Sequence, residues 1–375
     1  FINSMLAQYD DKGFLPIWQL WSDETHCMIA NHAVPVVVDA VLKEIKGIDK
    51  EKSYKAVKAS VLKDHLFSPF SVLEKYEYLP YDLQSQSVSM TLEMSYDDWC
   101  VAQLARKLGK NDDFNYFIKR AAFYKNLFDK KTEFFRAKST SGEWITPFDP
   151  LHYSGNGKEA YTEANAWQYL WSVQHDVDGL ATLLGGKRGL SRKLDDFFSI
   201  SHIPEKVNHN ASGFIGQYAH GNEPSHHVSY LYNYSSEPWK SQYYISKIMR
   251  DMYNTSSSGY SGNEDCGQMS AWYIFSAMGF YPVNPSSSVY VFGTPAFKNV
   301  VIKLSNGKSL TISAENVSEK NIYIQNVKYN GGKYERQYIT HSMIMQGGSL
   351  EFDMGPKPNK RWGISAQSKP LKHAY

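Results

Sequence analysis

From residue 1 to about 280, apolar residues recur at spacings of three and four, as in helices that bury one face. The run 28–45 contains Ala33-Val34-Pro35-Val36-Val37-Val38 and predicts a largely buried helix, with Pro35 in its first turns or at a kink. Runs 51–65 and 68–78 are shorter and amphipathic; in the second, Ser68 reads as a cap and Pro69 as a first-turn proline. A long helix is expected over 87–108, with Met90, Leu92, Met94, Trp99, Val101 and Leu104 inside, and another over 112–128. Further helices are expected at 163–173, 177–184, 191–198, 228–234, 239–253 and 267–278. Some of these are apolar all round and others on one face, the pattern of two concentric layers of helices. Between them, 134–161 is a Gly-, Pro- and aromatic-rich loop containing Ser154-Gly155-Asn156-Gly157, long enough to be read as functional. No short repeat period is visible, which argues against a solenoid.

Beyond Tyr281-Pro282-Val283 the period changes to two. Strands are expected at 289–292, 300–304, 309–312, 322–325 and 349–352, with turns at Asn306-Gly307 and Asn330-Gly331-Gly332. The chain is thus read as mainly α, a helical domain over 1–283 followed by a small C-terminal β-sandwich over 284–375.

Charge and composition narrow the function. Lys+Arg 40 against Asp+Glu 38 gives no electrostatic case for nucleic acid or an anionic membrane. No apolar run approaches a membrane span. Aromatic residues make up 15% of the chain, with 27 Tyr and 9 Trp, which suits uncharged, hydroxyl-rich ligands such as sugars. Cys27, Cys100 and Cys266 form neither a zinc pattern nor a disulfide frame. The chain opens on Phe1-Ile2-Asn3-Ser4-Met5, without a signal peptide, and reads as a mature or clipped product or part of a longer polypeptide. Sequons at Asn210, Asn233, Asn254 and Asn316 carry little information.

Three polar runs stand before helical stretches. They are Tyr161-Thr162-Glu163-Ala164-Asn165-Ala166-Trp167, Gly221-Asn222-Glu223-Pro224-Ser225-His226-His227, and Gly262-Asn263-Glu264-Asp265-Cys266-Gly267-Gln268. Each can be read as a helix cap or as part of a site; three together favour a site. Hydrolysis of a glycoside needs a protonated carboxyl for the leaving oxygen and an ionised one to activate water. Glu163, Glu223, Glu264 and Asp265 are available. Glu163, flanked by Tyr161 and Trp167, suits the acid, because an apolar surround favours the protonated form. Asp265, just before a helix start, suits the base. Asn222, Glu223, Asn263, Glu264 and Asp265 are oxygen donors that would suit calcium, though not as an EF-hand. His226 and His227 are either core and capping residues or hydrogen-bonding contacts for substrate. Glu24 and His32, near Trp18 and Trp21, read equally as a sugar-stacking wall or as a cap with packed indoles. His175-Asp176 lacks the Gly-X-Ser-X-Gly turn of a serine hydrolase, and there is no phosphate loop or dinucleotide fingerprint.

The three runs, with Leu15-Pro16-X-Trp18, Tyr96-Asp97-Asp98-Trp99, Gly279-Phe280-Tyr281-Pro282-Val283 and Met354-X-Pro356-X-Pro358, resemble glycoside hydrolase family 92 from near residue 1 to about 363. The resemblance implies an (α/α)6 toroid with a C-terminal β region, and an exo-acting, calcium-dependent α-mannosidase that inverts configuration. It implies Glu163 as general acid and Asp265 as general base, with Glu223 and Asn222 helping to hold a calcium ion that grips the 2- and 3-hydroxyls of mannose. Glu24, His32, Trp167, His226, His227 and Asn263 would contact substrate; some family members carry Asp where Asn263 stands. The partner would be a mannose-containing oligosaccharide or glycan, with α-1,2 linkage expected. The family's N-terminal β-sandwich, followed by a Trp-Asp-Thr segment, is expected elsewhere in the same polypeptide. Rival readings are a mannan-binding module without catalysis and a metal-independent (α/α)6 glucosidase. A glycan-degrading enzyme is expected to be secreted or periplasmic.

Overall fold

A computed structural model describes residues 1–375 except 22, 66, 154–159 and 205, so the 154–157 portion of the predicted loop lies outside the described residues. The chain divides into two compact units, Phe1–His175 with Pro204–Asn208, and Asp176–Ile203 with His209–Tyr375.

The first unit is built on the helix Ser87–Lys107. Its residues from Ser87 to Ala105 are buried with the single exception of Glu93, as the all-round apolar pattern requires. Helix Ala33–Leu42 buries Val34, Val37, Val38 and Val41, one stripe at helical spacing, with Pro35 in its first turn. Asp49 caps the helix Lys50–Ser60 by accepting from the Lys52 amide at 2.9 Å. The predicted Ser68 cap is replaced by a longer-range one. Pro69 occupies the N-cap of Phe70–Tyr76, and the Asp64 carboxylate accepts from the Ser71 amide at 2.8 Å. The expected helix over 112–128 stops early, as Asn111–Arg120, and continues as a 3-10 turn at Phe123–Leu127. Arg120 is buried there, pairing with Asp98 at 3.0 Å and donating to the Val61 carbonyl at 2.9 Å.

The second unit combines the helices Val177–Leu183, Lys187–Ser199, Trp239–Asp251 and Gln268–Met278 with a β region. The segment Val228–Tyr234 is a 3-10 turn rather than an α-helix, and it buries three successive side chains, Tyr230, Leu231 and Tyr232. In the five-stranded sheet, Gly332–Lys333, Tyr323–Tyr329, Gly348–Gly355, Ser309–Glu315 and Asn299–Lys303 lie side by side in that order. Its Ser309–Glu315 and Gly348–Gly355 strands run parallel, and the other pairs are antiparallel. A second sheet joins Tyr338–Thr340, Val289–Phe292 and Phe280–Tyr281, so the C-terminal β region begins at Phe280. Phe280, Phe292, Leu310, Ile312, Val327, Ile339, Leu350 and Phe352 form the common core. Ser309–Glu315 shows the cause: Leu310, Ile312 and Ala314 face inward, and the residues between them do not. No helix among the described residues is long and apolar enough to cross a membrane.

Candidate active site

In the first unit, the run 160–169 is fastened to the helix Ser87–Lys107. The Val88 and Ser89 amides donate to the Ala160 carbonyl at 3.2 and 3.3 Å. The Thr162 amide donates to Ser89 Oγ at 2.9 Å, and the Thr162 hydroxyl to the Gln86 side chain. Tyr161 donates its hydroxyl to the Phe135 carbonyl at 2.6 Å. Asn165 and Gln168 form a reciprocal capping box, so the expected helix over 163–173 is only the turn Ala166–Tyr169. Between these anchors sits Glu163, half-buried, with a φ of 55°. That left-handed conformation is uncommon for a residue with a Cβ and persists where the surroundings impose it. Trp167 is buried and meets Phe134 edge to face with ring centroids 4.8 Å apart.

His32 stands between two carboxylates, with Nε2 2.7 Å from Glu93 and Nδ1 3.3 Å from Asp97. Burial opposes charge on the ring, but Asp97 and Glu93 outweigh it and lift the imidazole pKa well above its ordinary value. The His32 side chain is 46% exposed, so its carboxylate neighbours, more than burial, set its state. Both ring nitrogens are thereby engaged. The Glu24 carboxylate accepts from the Ile17, Trp18 and His26 amides at 2.6, 2.9 and 2.9 Å. Burial raises its pKa, and those three amides reverse this and hold it below the usual carboxylate range. It braces the loop that carries Trp18 and Trp21, both of which are exposed.

In the second unit the two remaining runs touch backbone to backbone. A Cβ on Gly262 would lie 2.5 Å from the Gly221 carbonyl oxygen, and Gly262 has a φ of 76°. Only glycine meets both conditions. Asn222 is buried and Glu223 exposed, at the start of the 3-10 turn Glu223–Ser225. His226 ties the runs together. Gln268 Nε2 donates to the His226 Nδ1 at 3.0 Å, the His226 Nε2 then donates to the His220 carbonyl at 2.9 Å, and the Trp272 indole donates to the His226 carbonyl at 2.9 Å. Burial pushes the His226 pKa down to about 4, the His220 carbonyl opposing. The Tyr281 hydroxyl is pushed up to about 12 by burial, with Gln268 opposing and the Glu223 charge adding to it.

Glu264 takes the capping role in the third run. Its Oε1 accepts from the Ser270 amide at 3.0 Å and the Ser270 hydroxyl at 2.5 Å, which hold its carboxyl below the usual range. Asn263 and Asp265 are left exposed, Asp265 with a φ of 50° and Cys266 with one of 56°. Both proposed catalytic carboxylates therefore sit on left-handed backbone. Among the described residues, no three His, Cys, Asp or Glu side chains gather as metal ligands. Asn222 and Glu223 nonetheless form an all-oxygen donor pair beside the Gly221–Gly262 contact, a set that fits a hard cation whose shell is completed by water or sugar hydroxyls. Sequence reasoning did not single out Glu93. The available signal was the polar series Gln86, Ser89, Glu93 and Asp97 at helical spacing.

The family model described as the glycosyl hydrolase family 92 catalytic domain matches residues 1–356. The chain is 30% identical to an uncharacterized secreted glycosidase of Arthroderma benhamiae, covering 98% of this chain and 50% of that protein. The α-mannosidase BT3965 of Bacteroides thetaiotaomicron, solved in complex with mannoimidazole, superposes with a TM-score of 0.95 at 42% identity, over 99% of this chain and 49% of that one. The inverting mannosidase BT2199 of Bacteroides thetaiotaomicron gives a TM-score of 0.89 at 36% identity, over 99% and 52%. This chain thus spans about half the length of these relatives. The likeness bears out the fold class, a mainly α (α/α)6 toroid with a C-terminal β-sandwich. By its motifs, its fold and the extent of the match, the chain belongs to glycoside hydrolase family 92.

Proposed function

We propose that the chain carries the catalytic chemistry of an exo-acting, calcium-dependent α-mannosidase that removes terminal α-1,2-linked mannose with inversion. The observation that carries this reading is the likeness, at 42% identity over 99% of the chain, to an α-mannosidase solved with mannoimidazole. Glu163 gives its proton to the leaving oxygen as the glycosidic bond breaks. Asp265 takes a proton from the attacking water, which adds to the opposite face of the sugar. Glu24, His32, Trp167, His226, His227 and Asn263 would contact the sugar; Asn263 and His32 are exposed, whereas Trp167 and His226 are buried. Asn222 and Glu223 would hold the calcium ion. Calcium bound there would grip O2 and O3 of mannose and favour the flattened ring of an oxocarbenium-like transition state.

The substrate is a mannose-containing oligosaccharide or glycan. An N-terminal β domain of the same polypeptide would complete the sugar subsite, and the helical and β parts would meet near residue 284. The secreted relative supports a secreted or periplasmic location. The test is incubation of the full-length protein with α-1,2-mannobiose and with an α-linked glucobiose. Selective release of mannose is expected. Binding without release would instead indicate a mannan-binding module, and glucobiose cleavage without calcium a glucosidase.

A further inference from the structure

The helix Ser87–Lys107 and the residue before it carry a polar stripe along one face. Gln86, Ser89, Glu93 and Asp97 follow one another at intervals of 3, 4 and 4 residues, so they lie one above the next on a single helix face. Three of the four engage the segment that carries Glu163, or a residue next to it in the network. Gln86 and Ser89 hold Thr162, the neighbour of Glu163, on its N-terminal side. Glu93 holds the C-terminal side, because its Oε1 accepts from the Tyr169 hydroxyl at 2.8 Å at the end of the turn Ala166–Tyr169. Asp97 completes the stripe by fixing the Asn31 amide at 2.9 Å and the ring of His32 at 3.3 Å. His32 in turn holds the other oxygen of Glu93 at 2.7 Å.

Two features set this apart from routine core polarity. Glu93 is the one residue between Ser87 and Ala105 that is not buried, and neither of its oxygens is left to water alone. Gln86 and Glu163, at the two ends of the Thr162 anchor, both take left-handed backbone, each with a φ of 55°. A strained residue keeps its conformation only while its neighbours over-determine it, and these anchors are the neighbours that do so. The Glu93 and Asp97 carboxyl groups face the two ring nitrogens of His32, so the ring acts as a spacer between them. A general acid needs its proton within hydrogen-bond reach of the leaving oxygen, so small displacements of its backbone cost rate.

Resting on the mannosidase reading above, we infer that Glu93, held by His32 and Asp97 and acting through Tyr169, is the positioning residue for the proposed general acid Glu163. It touches neither substrate nor reacting atoms. The test compares Tyr169→Phe, which deletes one hydroxyl, and Glu93→Gln in the full-length protein. Each is assayed on α-1,2-mannobiose and on dinitrophenyl α-mannoside, whose leaving group needs no proton. Both variants are expected to lower kcat on mannobiose about tenfold or more, short of the ~10²–10⁴ that a general acid supplies. KM and the rate on the dinitrophenyl mannoside should stay within about twofold, since the acid is not used there. Equal losses on the two substrates, which general destabilisation would give, would overturn the inference, as would no loss on either. Should Glu93→Gln fail to fold, Tyr169→Phe decides alone. A wild-type protein inert towards both substrates would overturn the mannosidase reading, and this inference with it.

Discussion

Glu163→Gln is the sharpest single-residue probe of the chemistry. It should lower turnover of unactivated mannosides by roughly 10²–10⁴-fold and leave an activated aryl mannoside nearly untouched, as read by steady-state kinetics. Wild-type rates on both substrates would remove Glu163 from the acid's role. His32 offers a second prediction at this scale. Its folded pKa lies above the value of about 6.5 for a free imidazole, so the stability it contributes is fully present below that pH. That contribution is lost as pH rises through the folded value. An NMR titration should show the His32 ring deprotonating above the free value, and Asp97→Asn should bring its midpoint down. The density of carboxylates and amides in the three runs singles out Glu163, Glu223 and Asp265 as candidates from the sequence alone. Which neighbour was a cap was not legible: Asn165 and Glu264 cap, because each meets an amide three to six residues on, and only the folded turn reveals that.

The elements place these residues, and two contacts carry most of the load. Where Gly221 and Gly262 meet, a Cβ on Gly262 must push the two backbones apart. Gly262→Ala should cost about 1–3 kcal/mol from left-handed strain alone and more from the clash, measured by chemical denaturation. Unchanged stability would show that the two runs can separate freely. In the first unit, Arg120→Met would leave the buried Asp98 without its partner. Burial already raises the Asp98 carboxyl to about 7 despite Arg120. Breaking such a pair typically costs about 3–5 kcal/mol. Helix Ala33–Leu42, with its apolar stripe, and helix Ser87–Lys107, buried nearly all round, were readable from the sequence. The expected helix over 163–173 was overcalled. Its apolar spacing is real, but the backbone at Glu163 is left-handed and the capping box starts helix only at Ala166. The short helix His341–Gln346 and the parallel strand pair escaped, the first because it spans only six residues and the second because strand direction leaves no local sequence mark.

Across the whole chain, near-balanced charge and a wealth of tyrosine pointed away from polyanions and towards neutral, hydroxylated ligands, in keeping with the family. The change from helical to two-residue periodicity located five strands of the β region to within a few residues, because strands such as Ser309–Glu315 bury alternate side chains, although Val289–Phe292 is buried at every position. Calcium belongs to this scale because its binding would register in global stability. At a hundredfold excess over its Kd, a bound ion should stabilise the protein by about 2.7 kcal/mol. Tm should therefore rise with calcium and fall back on chelation. Glu223→Gln should blunt the response, and an indifferent Tm would take the ion out of the scheme.

Inverting, metal-assisted release of mannose can be watched directly. Proton NMR would follow α-1,2-mannobiose hydrolysis by the full-length protein before the product mutarotates, with calcium and then with a chelator. β-Mannose should appear first, and only while calcium is present. α-Mannose appearing first would rule out inversion, and release that ignores the chelator would rule out the metal.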